Sequence, residues 1–141
     1  MQRSIALECV LVFMILATVG LWRFTPPPRA LFAAGESFFT HIHTGRVMAN
    51  VTIAPGRAGP VEITVQLETP DERPMDAMAI SITLSNPDAG IEPITAEAQR
   101  ANDGQWRTAM AAPVSGRWSL ALGILVSDFD RINVEAPVLI K

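Results

Sequence analysis

From about residue 38 to its end, the chain alternates apolar and polar residues with a period of two, a pattern that extended strands satisfy and helices do not. Val61, Ile63, Val65 and Leu67 alternate with Glu62, Thr64, Gln66 and Glu68, so this segment has one apolar and one polar face. Met78, Ile80, Ile82 and Leu84 alternate with Ala79, Ser81, Thr83 and Ser85, which assigns Met78 to the core as filler. Trp118, Leu120, Leu122, Ile124 and Val126 form the longest stripe, and Val47, Ala49, Val51 and Ile53 another. Ile94, Ala96 and Ala98 are expected to face Trp106, Thr108 and Met110 across a hairpin. A last strand is predicted from about Ile132 to Ile140, with Pro137 marking an edge position or a bulge because it cannot donate to a ladder.

Turn chemistry separates these runs: Pro55-Gly56, Gly59-Pro60, Pro70 to Pro74, Asn86 to Gly90, Asn102-Asp103-Gly104, Pro113 to Gly116 and Asp128 to Asp130. Seven short strands with a turn roughly every 8–12 residues predict an all-β, Ig-like seven-stranded β-sandwich over residues 38–141, with Trp106 and Trp118 as its bulkiest core members. The Ig-type cysteine pair is absent, so the likeness is to the architecture; the one cysteine, Cys9, lies in an apolar run outside this region.

That run, Ile5 to Trp22, is 18 residues long with one charge, Glu8, near its start. As a helix it spans about 27 Å, close to the hydrocarbon thickness of a bilayer. Ten of the 18 are Leu, Ile, Val or Phe, which together favour insertion by about 3 to 6 kcal/mol and can offset one Glu a turn from the interface. A cleaved signal peptide fits less well: the run exceeds the usual apolar length, and Gly20-Leu21-Trp22-Arg23 puts bulk where a peptidase needs small residues. Residues 1–24 are therefore expected to form a single transmembrane helix with a short N-terminal flank, anchored by Trp22 and Arg23. Arg3 at one end and Arg23 and Arg29 at the other leave its orientation undecided by charge. Pro26-Pro27-Pro28 cannot continue a helix, so residues 25–37 are expected to be a Pro-rich linker, stiff where it is polyproline II.

A formal net charge of −3 argues against a nucleic-acid surface. No Ser/His/Asp constellation, glycine-rich phosphate loop, Cys-x-x-Cys or His-Glu-x-x-His is present, so no catalytic residue is expected and the chain does not read as an enzyme. The chemistry that stands out is His41-Ile42-His43, both histidines of the chain in one tripeptide. In an extended segment they project to one face and can converge on one ion, and imidazole suits Cu, Zn and Ni; the plain alternative is two exposed histidines that bind nothing. Met48, on the polar parity of its strand, could add a thioether, a donor that prefers Cu(I), only if Thr44-Gly45 interrupts the strand. Asp128 and Asp130, flanking Phe129, serve a turn or complete a mixed nitrogen and oxygen site. Glu8 within the apolar run is a further candidate, weakened because it can reach the interface.

The segment Arg3-Ser4-Ile5-Ala6-Leu7-Glu8, with Trp22-Arg23-Phe24-Thr25-Pro26-Pro27-Pro28-Arg29-Ala30-Leu31, resembles the final transmembrane helix and exit of CopD-type copper resistance proteins. His41-Ile42-His43-Thr44 with Met48-Ala49, then Pro55 to Pro60, Leu84 to Pro87, Gly90 to Ile94, Gly116-Arg117-Trp118 and Val126 to Phe129, resemble their C-terminal extracytoplasmic domain, which is similar to YtkA-like and CopC-like sandwiches. The resemblance implies a single-pass protein of the inner (plasma) membrane, N-terminus inside, with its C-terminal domain in the periplasm. It implies copper, as Cu(I) or Cu(II), held by His41 and His43, in transport, resistance or homeostasis. Full CopD-type proteins have several spans where this sequence has one, so the expectation is a module serving a multi-pass membrane partner. The alternatives are a fragment of a larger copper transporter, or a metal-free Ig-like interaction module.

Overall fold

The computed structural model describes residues 2–24 and 36–141, and within the helix the side chains of Glu8 and residues 10–20. The linker expected at 25–37 lies outside the described residues except for Glu36 and Ser37, and so does the side chain of Cys9. The chain divides into two units, 1–34 and 35–141. In the first, one helix, α1, runs Gln2–Phe24, about 34 Å of axis at 1.5 Å per residue. Its described side chains from Val10 to Val19 are exposed on every side, with no polar stripe opposite an apolar one. Among the described residues, no helix is long and apolar enough to cross a membrane.

The second unit is all-β. Eight strands, β1 (Phe38–His43), β2 (Met48–Ala54), β3 (Gly59–Glu68), β4 (Ala79–Asn86), β5 (Ile91–Arg100), β6 (Trp106–Ala112), β7 (Gly116–Ser127) and β8 (Asp130–Ile140), pair antiparallel in the order β1-β2-β3-β6-β5-β4-β7-β8. The sequence pattern predicts seven. The eighth is β1, whose inward residues Phe38, Thr40 and Ile42 are too mixed to read as an apolar stripe. Elsewhere the alternation is what the strands bury: Val61, Ile63, Val65 and Leu67 from β3, Ile80, Ile82 and Leu84 from β4, and Trp118, Leu120, Leu122 and Ile124 from β7 all lie inside one core. Trp106 and Trp118 are both buried, and the Trp118 indole N–H donates to the Val114 carbonyl at 3.1 Å.

Two expectations are corrected. Ile94 to Ala98 do not pair with β6: Ile94, Ala96 and Ala98 stand opposite Leu84, Ile82 and Ile80 of β4. β5 meets β6 only at Gln99 and Arg100, so the sheet folds back on itself along β5. Met78 precedes β4 and is exposed, because the buried set begins at Ile80; its amide donates to Leu125 O at 2.7 Å. Val126 falls at a register shift of β7 and is half-buried.

The two end strands of the sheet, β1 and β8, come together without forming a ladder. The turn after β2 bridges them: Gly56 N–H donates to Glu36 O at 2.7 Å, Lys141 N–H to Gly56 O at 2.9 Å, and Ala58 N–H to Lys141 O at 2.7 Å. A Cβ at 56 would lie 2.6 Å from Glu36 O, so only glycine lets the chain entering β1 approach this closely. The Lys141 ammonium pairs with the Glu36 carboxylate at the same seam. At the opposite end, Arg46 in the β1–β2 turn pairs with Asp130 at the start of β8, at 2.5 Å. The result is a nearly closed eight-stranded antiparallel sheet, with Pro137 on the end strand β8 where its missing donor costs least.

Candidate functional site

The β1–β2 hairpin turns on two residues, Gly45 and Arg46. Thr44 N–H donates to Val47 O at 3.0 Å, the Thr44 hydroxyl donates to the same carbonyl at 2.8 Å, and Val47 N–H donates to the Thr44 hydroxyl at 3.1 Å. An even-numbered loop pairs odd residues with even ones, so His43 stands opposite Met48 and His41 opposite Asn50. Residues directly opposite in an antiparallel ladder share a face. Thr44-Gly45 therefore interrupts the strand, and Met48 comes onto the face of the two histidines. Across β2, Met48 stands opposite Glu68 and Asn50 opposite Gln66. The outer face thus carries two rows, His43-Met48-Glu68 and His41-Asn50-Gln66.

Both imidazoles are exposed, with ring centres 6.2 Å apart and planes tilted by 31°. With metal–nitrogen bonds of about 2 Å, two imidazoles on one ion have ring centres about 5–6 Å apart, so the pair needs little movement to close on a metal. His41 Nδ1 lies 2.5 Å from Asn50 Oδ1. An amide oxygen only accepts, so Nδ1 carries the proton and the Nε2 lone pair is left for an ion. Asn50 Nδ2 in turn donates to Glu68 Oε2 at 3.4 Å, and Gln66 Nε2 to Glu68 Oε1 at 3.0 Å. This chain of side chains fixes the His41 tautomer and ring plane, as outer partners do around metal-bound histidines. Sequence pattern singled out the histidines and Met48 but not Asn50, Gln66 and Glu68. Their signal was available only as polar parity on neighbouring strands, and it needed the register to become a network.

The remaining candidates disperse. Asp130 reaches the β1–β2 turn, but its carboxylate is taken by Arg46, and Asp128 is exposed in the β7–β8 turn. Of the other methionines after residue 36, Met110 is core and Met75 packs at the core margin, so neither thioether stands with the histidines. Glu8 is exposed on α1. Among the described residues, no three His, Cys, Asp or Glu side chains are gathered as a metal cluster. A separate open depression of about 430 Å³, lined by Pro87, Asp88, Arg117, Ser119, Glu135 and Pro137 over the buried Trp118, holds no imidazole or sulfur donor. Comparison with known protein families, characterised proteins and solved structures finds no match to this chain.

Proposed function

We propose that the protein is a membrane-anchored, periplasmic copper-binding module that delivers or buffers copper for a multi-pass membrane partner, with His41 and His43 as ligands. The observation that carries the copper reading is the pair of exposed imidazoles 6.2 Å apart on one face, one with its Nδ1 proton committed to Asn50. The CopD-like run of sequence supports copper as the cargo and the inner membrane as the location. The apolar run Ile5 to Trp22 supports the membrane span. The two inward-facing halves of the sheet around a Trp core support an Ig-like sandwich as the finer description of the fold.

Copper titration of the full chain in detergent, against a chelator of known affinity, tests the reading with the wild type and the His41→Ala/His43→Ala variant. The variant is expected to lose more than the roughly 10–100-fold that removal of an outer partner costs. Equal affinity in the two proteins would discard it. A second reading, a metal-free interaction module, is favoured by Phe129, which is fully exposed at the tip of the β7–β8 turn. It predicts that copper leaves the melting temperature of the wild type unchanged.

A further inference from the structure

We infer that the ion taken by this site is copper(I), and that the Met48 thioether is its third ligand; the inference rests on the copper reading above. The first support is register. Met48 is the direct cross-strand partner of His43, at a Cβ separation of about 4.5–5.5 Å, so its long, flexible side chain rises beside the imidazole.

Burial is the second. The other outward residues of β2 are open to solvent, Asn50 and Thr52 half-exposed and Ala54 exposed, whereas Met48 is only 6 % exposed although it lies outside the core cluster. An apolar side chain kept from solvent on the polar side of a sheet packs against neighbours on that side instead of extending into water.

The third support is the absence of a better partner for a harder ion. Glu68 carries the carboxylate in these two rows, but it stands two strands from His43, about 10 Å away at normal strand spacing, and it accepts from both Asn50 and Gln66. Zn²⁺ in a closed site asks for four nitrogen, oxygen or thiolate ligands, and among the described residues even three such side chains are not gathered. Two neutral imidazoles and a thioether make a soft, low-coordinate set, and thioether selects Cu(I).

Met48→Leu keeps volume and shape and removes only the sulfur. In the full chain in detergent, under anaerobic competition with a chromophoric Cu(I) chelator, the variant is expected to bind Cu(I) at least about tenfold more weakly. Its Cu(II) affinity is expected to stay within about twofold of wild type. X-ray absorption of the Cu(I)-loaded wild type should show a sulfur neighbour at about 2.3 Å that the variant lacks. Unchanged Cu(I) affinity in Met48→Leu, or no sulfur neighbour in the wild type, overturns the inference while the histidine site stands, provided His41→Ala/His43→Ala still loses copper. If that double variant keeps wild-type affinity, the copper reading itself falls.

Discussion

The two outer walls of the sheet are built by the same alternation and present opposite chemistry. On the β1–β2–β3 wall, His41, His43, Met48, Asn50, Gln66 and Glu68 stand in cross-strand rows, and side-chain hydrogen bonds join His41, Asn50, Glu68 and Gln66. On the β4–β7 wall the corresponding rows are Ser81 with Gly123, Thr83 with Ala121, and Ser85 with Ser119. There the hydroxyls are consumed locally: Ser81 donates to Gly123 O at 3.3 Å, and Thr83 shares a hydrogen bond of 2.8 Å with Thr95. Two walls can therefore satisfy identical burial requirements while one sets imidazole, thioether, amide and carboxylate groups in cross-strand rows and the other spends hydroxyls on its own neighbours. What separates them is side-chain reach and donor type, neither of which period-two patterning records.

The comparison breaks hardest at the core beneath both walls. Trp118→Ala removes the largest fully buried side chain, and a loss of about 3–5 kcal/mol is expected in denaturant unfolding. A loss below about 1 kcal/mol would mean that Trp118 is not closely packed in the core. A sharper contrast sets one wall against the other without metal. A Cβ at position 123 would meet Ser81 Oγ at 2.5 Å, so Gly123→Ala is expected to cost about 1–2 kcal/mol, whereas His41→Ala/His43→Ala should stay within about 0.5 kcal/mol of wild type. Adding Ser81→Ala to Gly123→Ala should recover most of the loss, because it removes the Oγ that the new Cβ meets and leaves the Cβ of residue 81 at 3.9 Å. Strict additivity would remove the contact from the explanation.

The smallest effect belongs to the seam between the end strands. The Lys141 ammonium, hydrogen-bonded to Glu36 and attracting it, holds the Glu36 carboxyl below its ordinary value of 4.5. A carboxyl depressed in the folded state stabilises above its unfolded pKa and loses that contribution as pH falls through the folded value. Glu36→Gln should therefore melt slightly below wild type at pH 7, and the gap should be smaller at pH 3. The pair is exposed, so the gap is expected to be small. An equal gap at both pH values would assign the difference to something other than this charge.

Much of the fold was legible because strand faces are a local matter. Val61 to Leu67, Ile80 to Leu84 and Trp118 to Ile124 announce their inward sides through their own spacing, and the structure buries those residues. β1 was illegible as an apolar stripe because its inward set includes Thr40, and Met78 was misassigned because its parity continues past the end of the buried run. The partner of β5 was illegible for another reason. A short turn at residues 101–105 suggests a hairpin with β6, and nothing local in Ile94 to Ala98 says that they leave β6 to pair with β4.

The candidate site divides along the same line. His41-Ile42-His43 placed two imidazoles on one face by itself, since residues two apart in a strand always share one. The placement of Met48 and Asn50 beside them depends on whether the reversal at Thr44 to Val47 holds an even or an odd number of residues, and on β3 lying next to β2. Alternation is a property of one strand, so the sequence determined which residues face in and which face out. Register and strand order are properties of pairs of strands, fixed by loop closure and by burial of the whole core. Only the tertiary structure could decide which outward residues meet.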